Sequence, residues 1–253
     1  MRDLTHAIHV LERDLRGIFG SRLQSLVVYG ERAREAVHHA HAAGGPRAGA
    51  HHAHDDAADA AQTLAVVATL TGDDLRACAG RMAAWHAAGL ATPLVLAAHE
   101  FGRSLDAFPL EFGAILADHR VVAGANPFDG LSVDAADLRR AVEVQARSHL
   151  LHLREGYLET HGRLDALAVL IVESAPAFAA LLTSVARLSG QPTHDPAAAA
   201  RHAERLLGVV PGAAAEIVTL VGVREIPSSH ADRIFAPYLD AVERLVAYVD
   251  RWR

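Results

Sequence analysis

Two short runs of aliphatic and β-branched residues constrain the fold of this chain most strongly. The first run spans residues 23–29 and the second spans residues 64–70. Apolar runs of this length, bounded by glycine or polar residues, are typical of strands in the core of a sheet. Apolar residues at helical spacing precede the first run over 3–19, and a helical pattern follows the second over 73–88. We therefore expect strands and helices to alternate along the first part of the chain.

The pattern changes in the middle of the chain. Residues 93–97 predict a third strand and 108–122 a further extended stretch, and a segment rich in Pro and Gly follows at 124–130. Beyond it the apolar period is helical throughout, with predicted helices at 135–159, 164–188, 196–207, 213–221 and 237–252. The predicted fold class is α+β, with an α/β domain over residues 1–125 and an all-α helical bundle domain over 131–253.

Composition excludes several classes of function. The formal net charge of -6 argues against a broad basic surface for nucleic acid. The sequence contains no lysine, which excludes a P-loop lysine or a Schiff-base lysine. A single cysteine excludes an internal disulfide and a zinc cluster built on cysteines. The N-terminus shows no hydrophobic signal region, and the apolar stretch 164–172 is too short to span a bilayer. We expect a cytoplasmic protein without a membrane partner.

Histidines flank a linker of Gly, Pro and Ala at residues 42–50. The candidate ligands on its two sides are His38, His39, His41, His51, His52 and His54. Imidazole is a common ligand of Zn²⁺, Ni²⁺ and Cu²⁺, and paired His-x-His arms could close over one ion. The alternative is a solvated loop of low complexity that binds metal weakly and without selectivity, because it has no fixed second shell.

Several stretches resemble the nucleotidyltransferase superfamily of the polymerase-beta type. The order of a helix, then Leu26-Val27-Val28-Tyr29-Gly30, then Leu64-Ala65-Val66-Val67 is similar to the minimal nucleotidyltransferase domain. Residues 93–96, 108–112, 118–122 and 153–158 resemble a bacterial branch that carries a helical C-terminal domain. The resemblance implies a mixed nucleotidyltransferase-like sheet. In that family a Gly-Ser turn holds the triphosphate, and an Asp-x-Asp motif on the next strand holds the metal ions.

The chain departs from this family at its most specific motif. Gly30 matches the family glycine, but Glu31 replaces the serine and would repel phosphates. Ala61 and Thr63 stand where the two aspartates are expected. An alanine and a threonine cannot assemble a two-metal site for phosphoryl transfer. The sequence therefore predicts a catalytically inactive relative that acts as a binding or assembly module for a nucleotide or a protein partner.

Two alternatives stay open at the level of sequence. A divergent Mg²⁺-dependent nucleotidyltransferase could use Asp55, Asp56 or Asp59 together with Glu111, if Glu111 stands on a later strand. Alternatively, the function is metal binding by the histidine-rich segment 38–56. The resemblance makes that segment an insertion, because active relatives connect the two strands by a much shorter link.

Overall fold

The computed structural model describes residues 4–30, 60–193 and 195–252. The chain divides into two compact units, residues 1–133 and 134–253. The Pro/Gly-rich segment 124–130 belongs to the first unit, where the amide of Ala125 donates a hydrogen bond to the carbonyl of Gln24.

The first unit combines a four-stranded sheet with helices. Its described elements, in chain order, are α1 (Leu4–Phe19), a short 3₁₀ turn (Gly20–Arg22), β1 (Leu23–Tyr29), β2 (Gln62–Val67), α2 (Gly72–Ala79), α3 (Met82–Ala87), β3 (Leu94–Ala97), α4 (Ala98–Ala107), α5 (Pro109–Ala117) and β4 (His119–Gly124).

The sheet is mixed, with strand order β3-β2-β1-β4. Strand β1 is antiparallel to both β2 and β4, whereas β2 and β3 are parallel. The register places Tyr29, the last residue of β1, opposite Gln62 on one side and His119 on the other. The predicted α+β class with a mixed sheet is confirmed.

Helices cover both faces of the sheet, which explains why its two central strands carry buried apolar residues on both faces. On one face, Leu26 and Ala65 belong to a core cluster with Leu11, Leu15 and Trp85 of α1 and α3. The opposite face contributes to a second cluster whose members, from the sheet, α4, α5 and the turn after β4, include Val27, Leu64, Val66, Phe101, Phe112, Ile115 and Phe128.

The predicted extended stretch 108–122 is wrong over most of its length. Residues 109–117 form α5, and only 119–124 form a strand. Pro109 is the first residue of α5, a position where its fixed φ favours a helix and its missing N–H costs nothing. Helix α4 was not predicted, although Glu100 closes its first turn by accepting from the amide of Ala97 at 3.0 Å.

The second unit is helical, as predicted. It contains α6 (Ala135–Glu159), α7 (Leu164–Leu188), α8 (Pro196–Leu207), α9 (Ala213–Val218) and α10 (Ser228–Val249). The last helix begins at Ser228 and not at the predicted Pro237, which lies inside it. Ala231, Ile234 and Tyr238 are buried on this helix. Their packing outweighs the helix-breaking tendency of the proline.

Helix α7 forms the centre of the bundle. By length and composition alone it would be able to cross a membrane. Its buried residues, Ile171, Phe178 and Leu182 among them, lie in the core of the unit, and α7 packs against α6, α8 and α10. A core helix of a globular unit has the same composition.

Candidate functional site

The structure places the candidate site at the end of β1. Gly30 follows this strand with φ +80° and donates its amide to the carbonyl of Asp118 at 3.3 Å. A Cβ atom at this position would lie 3.2 Å from Oε1 of Gln62, and the positive φ would strain any L side chain. The conformation therefore favours glycine here, whereas the exposed side chain of Gln62 could move to make room for a Cβ atom.

Polar side chains from both neighbouring strands meet this end of β1. Tyr29 is half-buried between Gln62 on β2 and His119 on β4. Burial raises the pKa of the Tyr29 hydroxyl, and the negative charge of Glu111 raises it further. The tyrosine is therefore a neutral hydrogen-bonding group at this site.

The two positions where the resemblance expects metal-binding aspartates are in the core. Ala61 and Thr63 are two residues apart at the start of β2, and their exposed fractions are 0% and 1%. Ala61 belongs to the apolar cluster of Trp85 and Leu90. Its amide donates to the carbonyl of Gly89 and its carbonyl accepts from the amide of Ala91, both at 2.9 Å. Within the described residues, the Thr63 hydroxyl has no hydrogen-bond partner.

Glu111 is not on a strand, which corrects the expectation for a third carboxylate. It lies in the first turn of α5 and is exposed. A carboxylate favours this place because the positive end of the helix dipole is there. Strand β3, which is parallel to β2, has the sequence Leu-Val-Leu-Ala and supplies no carboxylate.

The remaining predicted site residues lie outside the described part of the chain. These are Glu31, the carboxylates Asp55, Asp56 and Asp59, and the histidines His38, His39, His41, His51, His52 and His54. In residues 4–30, 60–193 and 195–252, no three His, Cys, Asp or Glu side chains cluster closely enough to hold a metal ion.

One group of contacts near the site was not predicted from sequence. Nδ1 of His119 lies 3.1 Å from the carbonyl oxygen of Leu116, and Nε2 lies 3.1 Å from Oδ1 of Asn126. The ring of Phe128 packs against the imidazole, with centroids 4.6 Å apart. The Asn-Pro pair at 126–127 marks a turn, but the sequence does not show that the turn folds back onto His119.

A separate pocket of about 580 Å³ opens in the second unit, beside the first turns of α7 and α10. Its lining includes two arginines and two carboxylates, Arg163, Arg224, Asp165 and Glu225. Because the formal charges balance, the lining favours neither an anion nor a cation.

Comparison with known proteins supports the fold and leaves the activity open. No family model and no curated protein matches the chain. Among solved structures, the chain is similar to spectinomycin adenyltransferase AAD(9) from Enterococcus faecialis, determined with ATP and spectinomycin. The TM-score is 0.54 at 9% sequence identity, over 98% of this chain and 100% of the other. The chain thus has a nucleotidyltransferase-like fold with a helical C-terminal region.

Proposed function

We propose that this protein is a catalytically inactive nucleotidyltransferase-like protein that acts as a binding or assembly module. The observation that carries the proposal is that Ala61 and Thr63 are both buried at the start of β2, Ala61 within an apolar core cluster. Metal ions that catalyse phosphoryl transfer need carboxylate oxygens at the reacting phosphates. Neither side chain supplies one, and both positions lack contact with solvent.

The surrounding residues support the same proposal. Glu111 is exposed in a helix, and β3 contributes only apolar side chains. In the sequence, Glu31 follows Gly30 and adds a negative charge where a triphosphate would dock. A nucleotide bound at this end of β1 would be recognised through hydrogen bonds from groups such as Tyr29 and Gln62, without a two-metal centre.

Adenylyl transfer and ATP binding test this proposal separately. Full-length protein is incubated with Mg²⁺, labelled ATP and spectinomycin, and transfer of AMP is measured. ATP and spectinomycin are the two compounds present in the similar structure. We expect no transfer above that of a reaction without protein. Calorimetric titration with ATP and Mg²⁺ then distinguishes a nucleotide-binding module, which releases heat, from a module for other partners.

The divergent-enzyme alternative predicts a specific contrary result. Mg²⁺-dependent transfer that is lost in Glu111→Gln or Asp59→Asn would overturn the proposal of inactivity. The matched control is Asp73→Asn in α2, which removes an exposed carboxylate in the first turn of another helix.

The assembly part of the proposal is supported by an apolar row on α6. Val144, Leu151 and Leu158 recur every seven residues, with exposed fractions of 63%, 58% and 74%. Val142 and Leu153 of the same helix are buried in the core. Three exposed apolar side chains on one helix face form a stripe that a partner surface can cover. The row is symmetric about Leu151, so in an antiparallel pair Val144 of one copy would lie opposite Leu158 of the other.

We therefore expect the partner on α6 to be a second copy of this chain. Light scattering of the full-length protein should give the mass of a dimer, and Leu151→Glu should give a monomer. The control is Val169→Glu, which places the same charge at an exposed apolar position on α7. A monomeric wild-type protein at its highest soluble concentration would exclude self-assembly through this row.

Metal binding by the histidine-rich segment is a second candidate function, favoured by the two histidine clusters in the sequence. Tag-free protein should retain one metal ion per chain after dialysis, measured by elemental analysis. The triple variant of His51, His52 and His54 to alanine should lose this metal ion. A substoichiometric metal content in the wild type would instead favour the alternative of a segment that binds metal weakly and without selectivity.

A further inference from the structure

We propose that a pocket between α8 and α9 binds a small zwitterion, an amino acid with an apolar side chain. The pocket has a volume of about 540 Å³ and is lined by residues of the second unit alone. Its lining includes Arg201, Glu204 and Arg205 of α8, Val209 and Pro211 of the following loop, and Ala215 of α9. The inference goes beyond the proposed function, because it holds whether or not the first unit binds a nucleotide.

Glu204 supplies a buried carboxylate that has one oxygen free for a ligand. The residue is only 7% exposed and lines the pocket. Its Oε1 accepts from the amides of Ala214 and Ala215 at 2.9 and 2.8 Å. Among the described residues, no donor bonds to Oε2 and no arginine pairs with this carboxylate. A charged oxygen with so little access to water favours a donor from a ligand, and a cationic donor most of all.

Two arginines of α8 add positive charge to the same pocket. Arg201 precedes Glu204 by three residues, so the two positions are neighbours on the helix surface, and Arg205 follows Glu204 directly. Nη2 of Arg201 lies 3.5 Å from Oδ2 of Asp195, and because both side chains are more than half exposed, this pair is weak. Arg205 has no hydrogen bond or ion pair with any other described residue. Both guanidinium groups are therefore available for the anionic group of a ligand.

The rest of the pocket is apolar and its loop is held in place. Val209 and Pro211 contribute apolar surface to the lining. The amide of Val209 donates to the carbonyl of Glu204 at 3.2 Å, and Nη1 of Arg244 on α10 donates to the carbonyl of Gly208 at 3.2 Å. A lining that is fixed before binding costs less entropy to order around a ligand. The apolar part of a ligand would thus contact a preformed surface.

This combination of groups disfavours three simpler classes of ligand. The carboxylate of Glu204 would repel a triphosphate or another polyanion. A divalent cation needs several oxygen ligands and would meet two guanidinium groups. A hydrocarbon would remove the remaining water from Oε2 without supplying a donor. An amino acid with an apolar side chain fits each part, because its ammonium can donate to Oε2 while its carboxylate pairs with an arginine.

Calorimetric titration of the full-length protein with L-leucine, L-valine and L-phenylalanine tests the proposal. We expect saturable binding of at least one of the three. Blocking either charge of that amino acid should weaken binding at least about tenfold, because a hydrogen bond between charged groups is lost. The blocked forms are the N-acetyl derivative, which lacks the ammonium, and the amide, which lacks the carboxylate. No saturable binding by any of the three amino acids, or equal affinity for the blocked forms, would overturn the proposal.

Glu204→Gln removes the free acceptor at almost constant shape. The glutamine oxygen can still accept from the amides of Ala214 and Ala215, and its NH₂ group then replaces Oε2. An ammonium would face a donor in this variant, so the affinity for the amino acid should fall at least about tenfold.

The double variant Arg201→Met and Arg205→Met tests the anionic end of the ligand. Both side chains are exposed, so the fold should be retained, and binding of the amino acid should weaken while binding of its amide stays unchanged. The matched control is Arg76→Met with Arg81→Met, which removes two exposed arginines from the first unit. If Glu204→Gln does not fold, the double arginine variant still decides. Unchanged affinity for the amino acid in either variant of α8 would place the binding elsewhere and contradict the proposal.

Discussion

Nε2 of His149 and the hydroxyl of Tyr238 lie 2.7 Å apart in the core of the helical unit, joining α6 to α10. The hydroxyl donates onward to Oγ of Ser174 at 3.1 Å, and Ser174 donates to the carbonyl of Ile171 at 2.9 Å. Because each hydroxyl has a single proton, the chain runs in one direction, with neutral His149 as the first donor. Three helices are thus joined by a buried polar chain that ends on a backbone carbonyl.

The stability of the helical unit should depend on pH through His149. Burial lowers the pKa of His149 to about 4, and the nearby His152 contributes further. An unfolded histidine has a pKa of about 6.5. As the pH falls from 6.5 to 4, the unfolded chain takes up a proton that the folded chain excludes. The free energy of unfolding should therefore fall by about 3 kcal/mol over this window.

Urea unfolding followed by circular dichroism at several pH values between 7 and 4 measures this effect. His149→Gln retains a donor for Tyr238 but does not titrate, so its stability should vary less over the same window. Other histidines contribute equally to both proteins, and the difference between the two curves isolates His149. Parallel curves would show that this histidine is not held neutral by burial.

Removing the hydroxyl of Tyr238 should destabilise the protein by about 1–3 kcal/mol, because the donor of His149 and the oxygen of Ser174 lose their partner in the core. The test is Tyr238→Phe in the same unfolding assay at neutral pH. Tyr248→Phe near the end of α10 is the control, since Tyr248 is only partly buried. Equal stability of the two variants would argue against a structural role of the buried chain.

The sequence predicted the bounds of several elements correctly, in two cases because a helix-capping residue stands at the start. The bounds of β1 and of the helices 135–159, 164–188 and 196–207 agree with the structure. Asp134 and Asp195 cap the first and third of these helices through their side chains. The extended interpretation of 108–122 failed because a short apolar run fits a helix or a strand equally well, and packing decided between them.

One residue of the candidate site was identified through the family resemblance. Gly30 matches the glycine of the family turn, and the structure shows a positive φ there, which favours glycine. The contact between His119 and Asn126 was missed because it depends on how the turn after β4 folds back. Sequence spacing does not encode that geometry.

Gly124 should tolerate no side chain, because it closes the pairing of β4 with β1 at a positive φ of +77°. A Cβ atom there would lie 1.9 Å from the carbonyl oxygen of Gln24. Gly124→Ala should therefore destabilise the sheet by at least about 2 kcal/mol. Gly130→Ala is the control, since Gly130 has a similar φ of +73° and nothing within 4 Å of the added atom. A cost of about 1 kcal/mol is expected there from φ alone, and equal costs would refute the close approach.

Thr63→Val should stabilise the first unit, in contrast to most core substitutions. The Thr63 side chain is buried, and its hydroxyl has no partner among the described residues. Replacing it with a methyl group removes an uncompensated polar atom at almost constant shape, which should add about 1 kcal/mol to the free energy of unfolding. Thr160→Val is the matched control in the second unit. Its buried hydroxyl donates to the carbonyl of Tyr157 at 2.7 Å, so this variant should lose stability.

The sign of the Thr63→Val effect also bears on the function. A gain in stability would mean that this position, where the resemblance expects a metal-binding aspartate, is part of the buried core, which would support the proposed inactivity. A loss as large as that of Thr160→Val would mean that the hydroxyl has a polar partner. That partner would have to come from outside the described residues, and the sequence 31–59, which holds Asp55, Asp56 and Asp59, is part of that remainder. That result would support the divergent-enzyme alternative more strongly than the proposal of an inactive module.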